Sequence, residues 1–138
     1  MTYNSKARTN HFKVADEEKY SQLLARLVGE VKEHSETDEN GITTHVLCFG
    51  DNPFYTKTVE TEEDYEFDGF FDAMQSILPD DEIFIYQHIG SEGYRYLNSY
   101  CVMVTNKEIK TIAMDNIIKS EAISMVGKEK AECIDMSY

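Results

Sequence analysis

Residues 83–114 read IFIYQHIGSEGYRYLNSYCVMVTNKEIKTIAM. Three runs rich in β-branched and aromatic residues lie in this stretch, at 83–89, 94–105 and 109–114, with turn residues at 90–93 and 106–108 between them. Connections this short join antiparallel neighbours in a sheet. The stretch therefore predicts a three-stranded antiparallel meander, and the rest of the fold must pack against it.

Three segments outside the meander have the 3.6-residue spacing of amphipathic helices. They cover residues 16–31, 67–78 and 115–126. Asp16 and Asp115 are the predicted N-caps of the first and third, and Pro79 ends the second. Helices with an apolar stripe need an apolar surface to bury it, so we expect two or three helices on one face of the sheet.

Further strands are expected at residues 11–14, 42–49 and 54–59, with the last two paired as a hairpin. Residues 34–41 read as a polar turn and 61–66 as an acidic connection. The predicted order is β-α-β-β-α-β-β-β-α. This is an α+β fold with an antiparallel or mixed sheet of about five or six strands.

The chain of 138 residues is long enough for one domain with its own core. We place that domain at residues 11–127, after a flexible arm at 1–10 and before a loosely packed tail at 128–138. Residues 1–10 carry no apolar run of the secretory type. The three cysteines are too few for a disulfide framework, so a cytoplasmic location is expected.

Charge is the unusual property of this composition. Asp and Glu number 26 against 13 Lys and Arg, which gives a net charge of −13. A field of this sign repels phosphate backbones and anionic membrane surfaces. We therefore expect neither direct nucleic-acid binding nor membrane binding.

The negative charge is concentrated between Thr58 and Tyr94, where there is no Lys or Arg. We call this stretch the acidic window. Its eleven acids are Glu60, Glu62, Glu63, Asp64, Glu66, Asp68, Asp72, Asp80, Asp81, Glu82 and Glu92. A solvated surface accounts for such a run as well, because charge runs usually serve solubility.

The functional interpretation of the window is an electronegative surface for a basic protein partner, since dense carboxylates steer and bind cationic surfaces. Tyr65 would serve as an aromatic anchor within it. The predicted partner-binding residues are Glu60, Glu62, Glu63, Asp64, Tyr65, Glu66 and Asp68.

The chain carries few signatures of catalysis or of cofactor binding. No phosphate-binding glycine motif or nucleophile elbow occurs, and residues 60–69 do not follow the EF-hand pattern. His45 and Cys48 have zinc-like spacing, but residues three apart in a strand point to opposite faces. The expectation is a protein without catalytic residues, bound metal or cofactor.

Two alternatives remain open. A small-molecule-binding or enzymatic domain would have its site between the sheet and a helix, near Tyr86, His88, Tyr94 and Cys101. A homo-oligomer would pair its sheets through tyrosines of the long predicted strand and Tyr86 on its neighbour.

In size and charge the chain resembles small acidic accessory proteins carried by bacterial mobile elements. Some of these, among them antirestriction proteins, imitate nucleic acid and block defence nucleases. The resemblance implies a non-catalytic mimic, and because it rests on no motif it assigns no residues.

Overall fold

The computed structural model describes residues 4–50, 54–58, 61–65, 68–94 and 96–133. Within them the chain forms an α+β fold of nine strands and four helices. The strands are β1 Asn4–Thr9, β2 Leu27–Val28, β3 Val31–Thr37, β4 Thr43–Phe49, β5 Phe54–Thr58, β6 Thr61–Tyr65, β7 Phe84–Glu92, β8 Tyr96–Val104 and β9 Ile109–Ala113. The helices are α1 Glu17–Ala25, α2 Asp68–Gln75, α3 Met114–Val126 and α4 Lys128–Glu132.

The main sheet has six strands in the order β3-β4-β1-β7-β8-β9, and every neighbouring pair is antiparallel. The predicted meander is confirmed as β7, β8 and β9. A second, three-stranded sheet has the order β2-β5-β6. The antiparallel α+β class expected from the sequence is therefore confirmed, with three more strands than predicted.

One face of the main sheet is buried beneath α1 and α2. Aromatic rings fill the space between the layers, since Phe12 packs edge-on against Phe84 at 4.9 Å and Phe71 against Tyr86 at 5.3 Å between ring centroids. Phe70 is fully buried and contacts rings from both sheets. Burial of these large rings supplies most of the apolar stabilisation of the core.

The predicted arm at residues 1–10 is wrong for residues 4–9, which form the central strand β1 between β4 and β7. Ser5, Ala7 and Thr9 face the core, whereas Lys6 and Arg8 are exposed. The Thr9 hydroxyl accepts a hydrogen bond from the backbone N–H of Leu47 at 2.9 Å. Two small polar side chains and one alanine occupy the inward positions, so the strand lacks the apolar alternation by which strands are recognised.

The first helix is shorter than predicted. It begins after Asp16, which caps it as expected, and ends at Ala25. Leu27 then pairs with Tyr55 in the second sheet, and Gly29, at φ 110°, turns the chain into β3. Strand pairing and a glycine turn therefore override the helical spacing of residues 27–31.

Three connections also differ from the prediction. Residues 31–37 form β3, an outer strand whose exposed position explains its polar sequence. The expected hairpin of 42–49 with 54–59 is absent from the described pairings, because β5 pairs instead with β2 and β6. Residues 61–65 of the presumed acidic connection are strand β6.

The C-terminal part contains α3 and α4. Gly127, at φ 86°, separates the two helices. Lys128–Glu132 is helical and Ala131 is buried, which corrects the prediction of a loose tail for these residues. Residues 134–138 of that predicted tail lie outside the described part.

Candidate functional site

The predicted partner-binding residues divide between the second sheet and the start of α2. Glu62, Glu63, Asp64 and Tyr65 lie consecutively in β6, and Asp68 is the first residue of α2. Glu60 and Glu66 lie outside the described residues. The structure thus brings the central part of the predicted site onto one short strand.

β6 is the outer strand of its sheet. It pairs with β5 through Thr61 opposite Thr58 and Tyr65 opposite Thr56, with an irregularity in register between them. Among the strands that the structure describes, β6 has no neighbour on its other side. An outer strand keeps unpaired backbone donors and acceptors along its free edge.

The acidic hairpin, β5 with β6, is fixed to the core through Tyr55. This ring is buried, lies 5.9 Å from Phe70 between centroids and carries the Arg26 guanidinium 4.4 Å above its face. Burial raises the pKa of the Tyr55 phenol, and the nearby Arg26 charge opposes that rise. The anchor attaches the hairpin to the base of α2, where Gly69 lies against the Tyr55 ring.

The acidic window as a whole is not one surface. Asp72 is exposed on α2, Asp80 and Asp81 lie in the loop after that helix, and Glu92 ends β7. The loop and Glu92 lie at opposite ends of a nine-residue strand, a separation of roughly 25–30 Å. The charges therefore form at least two separate groups.

The loop group lines a surface depression of 530 Å³ together with residues 105–107. The carboxylates of Asp80 and Glu82 already have partners within the chain. Glu82 accepts the backbone N–H groups of Lys13 and Ile83, and Asp80 accepts from the Asn106 side chain at 2.7 Å. These bonds tie the loop to the segment before α1 and to the β8–β9 turn, which is a structural role.

The alternative site near Tyr86, His88, Tyr94 and Cys101 is not assembled. Tyr86 and His88 share the buried face of β7, but Cys101 pairs with Gln87 on the opposite face. Tyr94 lies in the β7–β8 turn and is 82% exposed. The four residues therefore cannot surround one ligand, which corrects that grouping.

The ring that does join this pair is Tyr100. It stacks on His88 with centroids 4.6 Å apart and an angle of 21° between planes. Burial lowers the pKa of His88 from its usual 6.5. His88 is thus a core residue that favours the neutral imidazole.

A second buried histidine forms a polar cluster that the sequence reasoning missed. The His45 ring is 5% exposed, and its Nδ1 lies 2.9 Å from Glu33 Oε1 and 2.7 Å from Ser35 Oγ. Its Nε2 lies 3.0 Å from both carboxylate oxygens of Glu17. Three elements meet here, since Glu17 begins α1, Glu33 and Ser35 lie in β3 and His45 lies in β4.

The cluster contains the residue types of a hydrolytic triad, Ser35, His45 and Glu17, but not its hydrogen-bond arrangement. In a triad the carboxylate orients the imidazole, and the other ring nitrogen is left to take the serine proton. Here a second carboxylate, Glu33, shares the Nδ1 side and also accepts the Ser35 hydroxyl. Because a carboxylate faces each ring nitrogen, neither nitrogen is left for the serine proton.

Tyr20 closes this cluster on the core side, with its ring 4.3 Å from that of His45 between centroids. Burial, together with the charges of Glu33 and Glu17, raises the pKa of the Tyr20 phenol. The cluster thus connects α1 to the outer part of the sheet. Only the β3–β4 register reveals it, because Ser35 pairs with His45 ten residues away in sequence.

Metal-binding arrangements were considered across the described residues, and no three His, Cys, Asp or Glu side chains there are placed to hold an ion. His45 is buried while Cys48 is exposed on the opposite face of β4, as strand geometry predicts. No helix in the described part of the chain is long and apolar enough to cross a membrane. No protein family, characterised protein or solved structure matches this chain.

Proposed function

We propose that this protein is a non-catalytic interaction domain that presents β6 and the start of α2 to a basic protein partner. The observation that supports the proposal most directly is the position of Glu62, Glu63 and Asp64 on the outer strand of a separate small sheet. Three consecutive acids on a strand with a free edge combine charge with an unpaired backbone.

The binding mode that follows is strand addition. An extended partner segment pairs with the free edge of β6 through its main chain, and its Lys or Arg side chains meet the carboxylates. The backbone bonds supply affinity, whereas the charges supply partner choice and a fast, salt-dependent association rate. Tyr65 adds an aromatic contact at the end of the strand.

Rigid presentation supports this mode. Tyr55 holds the hairpin against Phe70 in the core, so the acidic strand is positioned before a partner arrives. A preorganised edge loses less conformational entropy on binding than a disordered acidic loop. This distinguishes the proposal from a solvated charge run that serves solubility alone.

The narrower version of the proposal is nucleic-acid mimicry. Because the loop of Asp80 and Asp81 and the residue Glu92 lie at opposite ends of β7, the whole window cannot form one row of charges, and this version uses only the part around β6 and α2 as phosphate-like charges. A partner of this version is a nucleic-acid-binding protein. A short DNA duplex then competes with the hairpin for that partner.

The test is affinity capture from a native bacterial lysate at about 50 mM and 500 mM salt, with three forms of the protein as bait. The parent is compared with a hairpin variant, Glu62→Gln/Glu63→Gln/Asp64→Asn. The matched control, Glu18→Gln/Glu39→Gln/Glu129→Gln, loses the same charge at exposed positions elsewhere. We expect one protein retained at low salt by parent and control, released at high salt and lost from the hairpin variant.

Retention that is equal for all three baits contradicts the proposal, and so does the absence of any salt-sensitive protein at low salt. The retained protein is then purified and titrated with parent in the presence of a 20-base-pair DNA duplex. Competition supports mimicry. Simultaneous binding of duplex and parent excludes mimicry while leaving strand addition standing.

A further inference from the structure

One face of the main sheet is open to solvent across four of its strands. α1 and α2 pack on the other face, which carries the core, so every second side chain of β3, β4, β1 and β7 points away from the helices. Strand register places Lys32, Cys48, Arg8 and Gln87 in one row across these strands, and all four residues are exposed. We call the outward side chains of these four strands the open face.

The open face differs in charge from the rest of the chain. Its outward positions carry three cations, Lys6, Arg8 and Lys32, and one acid, Glu36. The Glu36 carboxylate lies 3.3 Å from the His34 ring. In the chain as a whole, 26 acids stand against 13 cations, so the open face reverses the overall balance of charge.

Glu30 brings one further carboxylate to the border of the open face. Its side chain lies over Gly50, just beyond β4, in the space that a side chain at residue 50 would fill. With Glu30 included, the cations still outnumber the acids of this surface. Within the described residues, none of Lys6, Arg8 and Lys32 forms an ion pair. These cations therefore remain available to a carboxylate from another molecule.

The three cations are close enough to contact one short segment. Lys32 and Arg8 pair with Cys48 from opposite sides, so their Cα atoms are about 10 Å apart. Lys6 and Arg8 are two residues apart along β1, a distance of about 7 Å. Alternate residues of an extended peptide have this same spacing, so two carboxylates two positions apart match Lys6 and Arg8.

An apolar side chain adjoins the cations. Ile89 of β7 pairs with Lys6 of β1 and is 56% exposed. Both residues line a surface depression of 410 Å³, together with Asn4, Gly90 and Ser91. The open face therefore combines positive charge with a place for one apolar side chain.

We propose that the open face binds a short acidic peptide segment of another protein. Its carboxylates contact Lys6, Arg8 and Lys32, and one apolar side chain enters the depression at Ile89. Charge complementarity selects this occupant, because the unpaired cations of the face attract carboxylates. The site is separate from the acidic hairpin and would take a partner of the opposite charge.

A nucleic-acid strand fits the open face less well than a peptide does. The outward positions of the four described strands hold no Phe, Tyr or Trp on which bases could stack. The net charge of −13 also repels a continuous chain of phosphates. A short peptide with a few spaced carboxylates meets less of this repulsion.

The experiment is fluorescence anisotropy of three labelled probes titrated with the full chain at about 20 mM and 200 mM salt. The probes are an oligoglutamate peptide with one central leucine, oligoglutamate alone, and oligothymidylate of the same length. The face variant removes the three cations, Lys6→Gln/Arg8→Gln/Lys32→Gln. The matched control loses the same charge at exposed positions elsewhere, Lys19→Gln/Lys107→Gln/Lys128→Gln.

We expect the leucine probe to bind the parent and the control at low salt, and to bind each about tenfold more weakly at high salt. The face variant should bind it about tenfold more weakly than the control does at low salt. Ile89→Ala should abolish the preference for the leucine probe over oligoglutamate alone. The hairpin variant should bind the leucine probe at least as tightly as the parent, so this site and the proposed function are tested separately.

Circular dichroism establishes that each variant is folded, which is expected because the substituted side chains are exposed. Equal binding of the leucine probe by the face variant and the control overturns the proposal, and so does the absence of binding to the parent at low salt. Tighter binding of oligothymidylate than of either peptide also overturns it, because the face then fits a nucleic acid. Salt-sensitive self-association of the parent that the face variant lacks assigns the face to a second copy and overturns it as well.

Discussion

The acidic hairpin and α3 show opposite relations between charge and burial. The hairpin has acids on its outer strand, yet its Tyr55 ring is 4% exposed and joins the core. α3 carries one lysine and two acids, and none of its 13 residues is buried, with Met125 81% exposed. The hairpin is anchored by aromatic packing, while α3 contacts β8 and β9 and leaves apolar side chains exposed.

The two regions differ in the contacts that stabilise them. The hairpin shares the core with the main sheet, so its position depends on intramolecular packing. α3 gains little from burial within the chain, and a 13-residue helix is marginal in water without packing. Its main contacts within the chain are with β8, β9 and α4.

The largest expected effect on stability comes from a change in the core that holds the acidic hairpin. Phe70→Ala removes a ring that has no exposed surface and contacts Tyr55 in one sheet and Phe84 in the other. We expect a loss of about 3–5 kcal/mol in the free energy of unfolding, measured by urea denaturation, because a buried aromatic is replaced by a cavity. Both sheets should unfold in one transition.

Ile123→Ala is the matched change on the α3 side. Ile123 is 43% exposed, so its truncation should change the free energy of unfolding by no more than about 0.5 kcal/mol. Similar losses for the two variants would show that α3 is packed as firmly as the core, and the contrast between the regions would then be wrong.

An intermediate effect is expected at the polar cluster beneath α1. His45→Gln leaves the carboxylates of Glu17 and Glu33 without the ring that separates them. We expect a loss of about 1–3 kcal/mol in the free energy of unfolding, because a buried partner of charged groups is removed. Thermal and urea denaturation at pH 7 measure it.

His34 provides the control for this prediction. It also faces a carboxylate, Glu36 at 3.3 Å, but both side chains are 67% exposed. His34→Gln should therefore have almost no effect, since exposed pairs contribute little. If His34→Gln lowers the free energy of unfolding as much as His45→Gln does, burial is not the reason that the His45 cluster stabilises the fold.

The meander at 83–114 could be predicted from the sequence because alternation and turn residues agree there. The Asp16 N-cap could be predicted as well, because it depends only on residues close to it in sequence. β1 could not be predicted, since the small side chains of Ser5, Ala7 and Thr9 face the core and two of the three are polar, and only their position between β4 and β7 makes them central. Residues 27–31 continued the spacing of α1, and their strand pairing depends on Tyr55 far along the chain.

The candidate sites also divide into features that the sequence could predict and features that it could not. The acids of β6 were found from composition, but their outer-strand position depends on pairing that composition does not contain. The cluster of Glu17, Ser35 and His45 was missed because its members are joined only by strand register and helix position. The exposure of α3 was missed because an amphipathic pattern is the same whether the stripe is covered by this chain or by another.

The smallest expected effect is a pH dependence on the β8 side of the sheet, where His88 stacks on Tyr100. Burial lowers the pKa of His88 in the folded state below 6.5, whereas the unfolded chain binds that proton near 6.5. As the pH falls below 6.5, the unfolded state takes up a proton that the folded state does not, so stability decreases with falling pH. The loss is complete once the pH lies below the folded pKa.

Urea midpoints of the parent should therefore fall more between pH 7.5 and 5.5 than those of His88→Gln, which cannot take up the proton. His11→Gln, at an exposed position, should keep the slope of the parent. Parallel curves for the parent and His88→Gln would mean that the imidazole is protonated equally in both states, and that this end of the core is open enough to hydrate a charge.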